Sequence, residues 1–377
     1  MGKMNTLLAS FLILGCVLAN EEESPLPENS ILLVQKIPSN RLIEKNATDS
    51  EVFHYATYTT NTTTGNPANF RLEGEYLILQ ASVDTAIFGL DTNNNTVIPN
   101  TYRFKHLQYD FSWESGARIL CAITIDPHDN WEFGSSYIYA PGKAVLNYTV
   151  DNFVGSGDNS NYIATPTGPH GGSSIASYVD NLWRVTYQVV DGFLGRNYAF
   201  SKYLSFEPLI GIRGLFVSEK LTYSMNQYYS TTGLFFPSEW YYHLNAKGVG
   251  IRPGIASLWS FGQYGGIYGS LSSTLATVRT KYLNSVNEVA VSSGGALTFN
   301  DTNGIATRHR ILWNFETSVG LQLDIPIRRY SSYFSLKAAY EYIYWSGMNI
   351  FNFGTGAYNS PAPLTFQGIS IGMAFCY

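Results

Sequence analysis

The sequence predicts an all-β protein, a transmembrane antiparallel β-barrel of about ten strands, with twelve as the alternative count. Three observations predict it. Long segments alternate bulky apolar positions with small or charged ones, and the connections between them alternate short and long. Aromatic residues make up 15% of the 377 residues, with 28 Tyr and 22 Phe, while charged residues reach only 14%. Strands with two unlike faces and aromatic girdles at two membrane interfaces call for that balance; a cytosolic enzyme does not.

Residues 1–19 read as a signal peptide. Lys3 gives a positive start, residues 6–14 are apolar, and Val17, Leu18 and Ala19 set cleavage before Asn20. Ile13-Leu-Gly-Cys16 offers lipoprotein processing at Cys16 instead, and the two routes stay open. Cleavage would remove Lys3 and take the net charge from −5 to −6, which argues against nucleic acid as a partner. No later apolar run approaches the roughly 18 residues of a transmembrane helix. Beyond the signal, Cys121 and Cys376 form neither a disulfide framework nor a metal-ligand spacing, so no metal and no cofactor is expected. Residues 20–68, with Glu21-Glu-Glu23, Pro25, Pro27 and the Thr59-Thr-Asn-Thr-Thr-Thr64 run, read as a polar periplasmic segment ahead of a barrel over 69–377.

Ten strands are expected at about 69–88, 103–125, 130–148, 181–195, 202–225, 243–259, 264–283, 306–325, 331–351 and 364–377. Thr124-Ile-Asp-Pro-His-Asp-Asn130, Gly195-Arg-Asn-Tyr-Ala-Phe-Ser201, Ser260-Phe-Gly-Gln-Tyr264 and Pro326-Ile-Arg-Arg-Tyr330 are short connections. Polar stretches at 89–102, 149–180, 226–242, 284–305 and 352–363 are long. Short periplasmic turns and long extracellular loops give this alternation, and an even strand count puts both ends on the periplasmic side.

Parity separates the faces. In the closing strand Ile369, Ile371, Met373, Phe375 and Tyr377 oppose Gly368, Ser370, Gly372, Ala374 and Cys376, so the bulky set faces lipid. In the second strand Leu107, Tyr109, Phe111, Trp113, Ala117, Ile119 and Cys121 oppose His106, Asp110, Glu114 and Arg118. Elsewhere Ile311, Trp313, Val319 and Leu321 oppose Arg308, Arg310, Glu316 and Asp324; Leu336 and Tyr340 oppose Lys337 and Glu341; Ile210 and Ile212 oppose Glu207 and Arg213. An Arg or Lys facing lipid at the midplane costs ~2–4 kcal/mol, so the charges belong to the lumen. Asp110, Glu114, Arg118, Arg184, Arg213, Arg252, Arg310, Glu316, Lys337 and Glu341 are therefore the pore-lining candidates, with Glu73, Glu75 and Glu132 as further lumen acids. The first strand resists this scheme: Leu77 and Leu79 share the parity of Glu73 and Glu75. The lumen charges read either as a constriction whose opposed rings select permeating solutes, or as pairs that fill a narrow barrel. Gly248, Gly250, Gly254, Gly368 and Gly372 share the lumen parity, where they relieve crowding at bends or leave room for long neighbours.

Several segments then resemble one family. Phe70-Arg-Leu-Glu-Gly-Glu-Tyr-Leu77, Trp113-Glu-Ser-Gly-Ala-Arg118, Glu207-Pro-Leu-Ile-Gly-Ile-Arg-Gly214, Gly248-Val-Gly-Ile-Arg-Pro-Gly254, Tyr340-Glu-Tyr-Ile-Tyr-Trp345 and Gln367-Gly-Ile-Ser-Ile-Gly372 resemble, in order and spacing, pore-forming outer-membrane proteins related to the Legionella major outer membrane protein, which also occur in Chlamydia-like bacteria. The resemblance spans about 69–377 and implies a barrel in the outer membrane of a Gram-negative-type bacterium, with a porin-like role and no catalytic residues. Two cysteines are too few for a disulfide-linked envelope.

The expectation is a porin, a water-filled channel for passive diffusion of ions and small solutes, and not an enzyme. The alternative is a closed-barrel adhesin or structural envelope protein acting through its extracellular loops. His170, Asp180, His243 and Asp301, near predicted loop bases, are the residues a rim protease would use. The implied partners are outer-membrane lipids, the barrel assembly machinery, and solutes and ions; a homo-oligomer is left open. Ile371, Met373, Phe375 and Tyr377 form the expected assembly signal. Deleting residues 375–377 should block insertion into the outer membrane, read as loss of the barrel from outer-membrane fractions; normal insertion would refute that role.

Overall fold

The computed structural model describes residues 70–377 except 84–86, 95–101, 127–129, 150–161, 166–173, 202, 230–233, 262–263, 292–296, 328–331 and 350–361. The signal peptide, Cys16 and the polar segment 20–68 lie outside the described residues.

Fourteen strands follow in order: β1 (Phe70–Val83), β2 (Ile87–Asn94), β3 (Tyr102–Gln108), β4 (Trp113–Asp126), β5 (Trp131–Thr149), β6 (Tyr162–Thr165), β7 (Ser174–Arg196), β8 (Tyr198–Ala199), β9 (Leu204–Tyr229), β10 (Leu234–Ser260), β11 (Gly265–Val291), β12 (Leu297–Ile327), β13 (Ser332–Asn349) and β14 (Ala362–Cys376). Ten of them, β1, β4, β5, β7, β9, β10, β11, β12, β13 and β14, pair antiparallel in an unbroken circuit. The circuit closes between β1 and β14, from Val83↔Leu364 to Arg71↔Cys376, and the main chains of Phe70 and Tyr377 exchange two hydrogen bonds beyond it. Closure leaves no edge, which is the condition for a sheet to cross hydrocarbon. Among the described residues there is no helix.

The outer wall is apolar where the bilayer would lie. Along β10 the outward residues Trp259, Ile255, Ile251 and Val249 are all exposed large hydrophobics. Ten residues at ~3.3 Å rise and ~40° tilt span about 25 Å, the height of an outer-membrane apolar band. Ile371, Met373 and Phe375 of β14, with Tyr377 just beyond its end, join this wall, with Met373 56% exposed, while Cys376 points inward. Cys121 lies half-buried on the outward face of β4, and it and Cys376 are not joined in a disulfide.

Two expectations need correction. The predicted strand 103–125 is really two, β3 and β4, and its parity flips between them. Tyr109 and Phe111, placed by parity with the lipid face, are buried in the lumen. Their rings pack on Trp183 at 5.2 and 5.4 Å, the Asn181 amide donates to the Tyr109 hydroxyl, and Gln80 donates to the Phe111 carbonyl. These anchors draw the chain inward and break the ladder. The stretches 226–242 and 284–305, read as loops, are mostly β-ribbon: β9 pairs β10 out to Tyr229↔Leu234, and β11 pairs β12 out to Val291↔Leu297. Their Tyr, Thr and Val content sustains the ladder beyond the membrane.

The closing strand is tight. A side chain at Gly368 would run into the backbone of β1 at Ile78 and Leu79, whereas Gly74, on the outer face, meets nothing within 4 Å. Gly368→Val should destabilise the barrel by at least about 1–3 kcal/mol, seen as a lower urea midpoint and loss of the heat-modifiable band on gels. Gly74→Ala serves as the neutral control; equal stability of both variants would refute the close approach.

Candidate functional site

The interior is divided into two layers. The extracellular half is a septum of mostly apolar side chains, with the Glu219 carboxyl and the Asn181 amide buried among them. Leu77, Leu79, Trp183, Tyr187, Leu215, Leu221, Trp345 and Phe366 are inaccessible to water or nearly so, and they belong to one continuous cluster. Tyr187 stacks against Phe366 with centroids 5.1 Å apart. The layering accounts for the first strand. Glu73, Glu75, Leu77 and Leu79 all face inward, the acids in the lower layer and the leucines in the upper.

Below the septum lies a belt of charge, built by cross-barrel pairs rather than by neighbours alone. Arg118 on β4 bonds Glu75 on adjacent β1 and reaches over β1 and β14 to Glu341 on β13, where Nη1 and Nη2 donate to the two carboxylate oxygens at 2.7 Å. Lys337 of β13 likewise crosses β14 to Glu73, with Nζ–Oε1 at 2.6 Å. These crossings pass over Gly368 and Gly372 of β14; a Cβ on Gly372 would sit 2.7 Å from the Glu75 chain. Arg71 on β1 meets Glu132 on β5.

A second centre is deeper. Arg213 of β9 is fully buried and donates through Nε and Nη2 to Asp191 of β7, both at 2.7 Å. Its Nη1 and Nη2 also bond Glu316 of β12, and the Asn314 side-chain oxygen accepts at 3.0 Å. Arg252 leans on the same two carboxylates more loosely, at 3.4 and 3.8 Å, and donates to the Ser272 hydroxyl. Tyr187 joins the layers. Its hydroxyl donates to Glu316 at 3.4 Å and accepts from the Trp345 indole at 3.2 Å.

The belt surrounds a cavity of about 210 Å³, lined by Arg71, Glu73, Glu75, Arg118, Asp191, Glu207, Arg252, Glu316, Lys337 and Glu341 with the hydroxyls of Ser270 and Ser272. Glu132 and Arg213 complete the set through their ion pairs, which leaves seven carboxylates against five cations. Such a site can hold water and small ions. Among the described residues no group of His, Cys, Asp and Glu could hold a metal ion.

Of the candidates named from sequence, Arg118, Arg213, Arg252, Glu316, Lys337 and Glu341 come together in the belt. Four do not. Asp110 is exposed between β3 and β4, outside any strand. Glu114 lies near the extracellular end of β4, where the Ser112 hydroxyl donates to it. Arg310 sits higher on β12 and donates to the Tyr282 hydroxyl at 3.3 Å. Arg184 is on the outer wall, because the inward residues of β7 there are Trp183 and Val185. Glu114 and Arg310 keep the inward parity but stand above the belt, nearer the extracellular end, whereas Arg184 turns outward beyond bilayer depth, where the rule that charges turn inward no longer holds. Arg71 and Asp191 were missed. Arg71 shares the parity of Glu73, a usable signal, whereas Asp191 shares its parity with Trp183, Tyr187 and Val189, which conceals it. Asp180 and His243 lie on the outer wall, and the side chains of His170 and Asp301 lie outside the described residues.

A search of solved structures finds outer-membrane barrels at low identity. The outer membrane protease OmpT of Escherichia coli is 10% identical, with a TM-score of 0.41 over 84% of this chain and 99% of that one. The toluene transporter TodX of Pseudomonas putida is 11% identical, with a TM-score of 0.31 over 85% and 92%. A FadL homologue of Pseudomonas aeruginosa is 8% identical, with a TM-score of 0.24 over 84% and 91%. A search of curated protein sequences finds no match. The family model described as the Legionella pneumophila major outer membrane protein precursor matches residues 62–377. With that match over most of its length, on a closed ten-stranded barrel, the chain belongs to the Legionella major outer membrane protein family and is a protein of the outer membrane.

Proposed function

We propose that the barrel is a narrow, gated channel for small ions, with the charged cavity as its conducting segment and the apolar septum as its gate. The observation that carries this reading is the belt itself. A barrel that needed only stability would do as well or better with apolar filling throughout, because buried ion pairs rarely outperform a hydrophobic core of equal volume. Here mostly apolar filling occupies one half, and the other half keeps twelve ionisable side chains around a space large enough for water. Opposed charges lining a wet constriction are how pores discriminate among ions. Passage involves no chemical step; ions would move down their gradient.

The septum narrows the expected porin to something more restricted. Side chains as large as Trp183, Trp345 and Phe366 would have to swing aside before anything passed. The same septum supports a second reading, a closed envelope or adhesive barrel whose extracellular loops make the contacts.

Planar bilayers separate the two. The channel reading expects small, brief steps from the refolded protein and larger, longer ones after Trp345→Ala with Phe366→Ala. Silence from both folded proteins would reject it. Because carboxylates outnumber cations in the belt, Arg252→Gln should move the reversal potential towards cation preference; an unchanged potential removes Arg252 from the ion path. On the second reading, deleting residues 150–173 abolishes binding to host cells and leaves the bilayer behaviour unaltered.

A further inference from the structure

The outer wall carries a constellation that the channel reading leaves unused. On the outward faces of β5, β7, β9 and β10, Lys143 pairs in register with Arg184, Arg184 with Lys220, and Lys220 with His243. On the next pair of strands Lys247 stands directly opposite Arg279. All five Lys and Arg are exposed, and none has a carboxylate partner among the described residues. The outward carboxylates on these strands, Asp180 and Glu239, lie four residues nearer the extracellular end than Arg184 and His243.

Like charges directly opposite on neighbouring strands, roughly 5 Å apart, destabilise the pair. A row of three followed by a second pair is costly unless anions lie between them. The position of this outer row indicates where the anions come from. Immediately towards the periplasm the same wall turns apolar, with Val249 and Ile251 on β10 and Leu275 on β11 all exposed. The bases therefore stand where hydrocarbon gives way to head groups on the extracellular side. Arg and Lys at that depth suit phosphate, Arg as a bidentate fork and Lys as a point charge.

We propose that this outer row of Lys and Arg binds the phosphorylated head group of an outer-leaflet glycolipid of the lipid A class, with the acyl chains lying along Val249, Ile251 and Leu275. Charge complementarity with two or more phosphates and continuity with the apolar band both favour that occupant over a free anion.

The test uses the refolded full-length protein in detergent at physiological salt, with binding followed by native mass spectrometry. Bisphosphoryl lipid A, phosphatidylglycerol and inorganic pyrophosphate are the probes. Bisphosphoryl lipid A should bind at least tenfold more tightly than phosphatidylglycerol, and pyrophosphate should not compete at equal concentration. The triple variant Arg184→Gln, Lys220→Gln, Arg279→Gln should weaken lipid A binding at least tenfold, while Glu239→Gln leaves it unchanged. Should the triple variant fail to fold, Arg184→Gln alone is expected to weaken binding about fivefold. Equal affinity of native and variant protein, equal affinity for phosphatidylglycerol, or full competition by pyrophosphate would each overturn the assignment.

Discussion

Because hydrocarbon can neither bond a backbone N–H nor solvate a charge, the ring closure between β1 and β14 is the interaction on which the rest depends. It joins the first described strand to the last, so nothing in the circuit is complete until the whole chain is in place. It also brings Glu73 and Glu75 within reach of Lys337 and Glu341 across the small residues of β14. The belt is thus a product of closure: Arg118 on β4 and Glu341 on β13 meet only in the finished barrel.

The two layers of the lumen follow different physics. In the septum, interlocking aromatic and aliphatic side chains exclude water, as in the core of a soluble domain. In the belt, each cation is held by carboxylates from more than one strand or across intervening strands, and Arg213, sealed from solvent, is bonded on two sides. A pair of this kind adds little over apolar filling, but removing one partner leaves a buried charge at a cost of about 3–5 kcal/mol. The charges are thereby fixed in place around the cavity. Tyr187, bonded to Glu316 below and to Trp345 above, links the two layers.

The outer wall shows the same sorting by depth. Apolar residues occupy the band, the row of Lys and Arg stands beyond its extracellular edge, and the ribbons of β9–β10 and β11–β12 continue past it. Depth, rather than face, decides where a charge is tolerated. This explains why Arg184 and Arg213, alike in sequence terms, end on opposite sides of the wall.

Period-2 alternation and the sorting of connections by length determined the barrel, its ten-membered circuit, the outward set on β14 and six of the ten lumen charges. These are local consequences of a pleat whose successive side chains point to opposite faces, and parity reads them directly. Tertiary structure alone decided the rest. Parity assigns a face but no depth, so it could not distinguish Glu75 in the belt from Leu77 in the septum two residues on. Nor could it foresee that Tyr109 and Phe111 would be drawn inward onto Trp183, or that Asp191 would lie among apolar neighbours and bind Arg213. Partners drawn from strands far apart in the chain become neighbours only when the sheet closes, and that closure has no local signature.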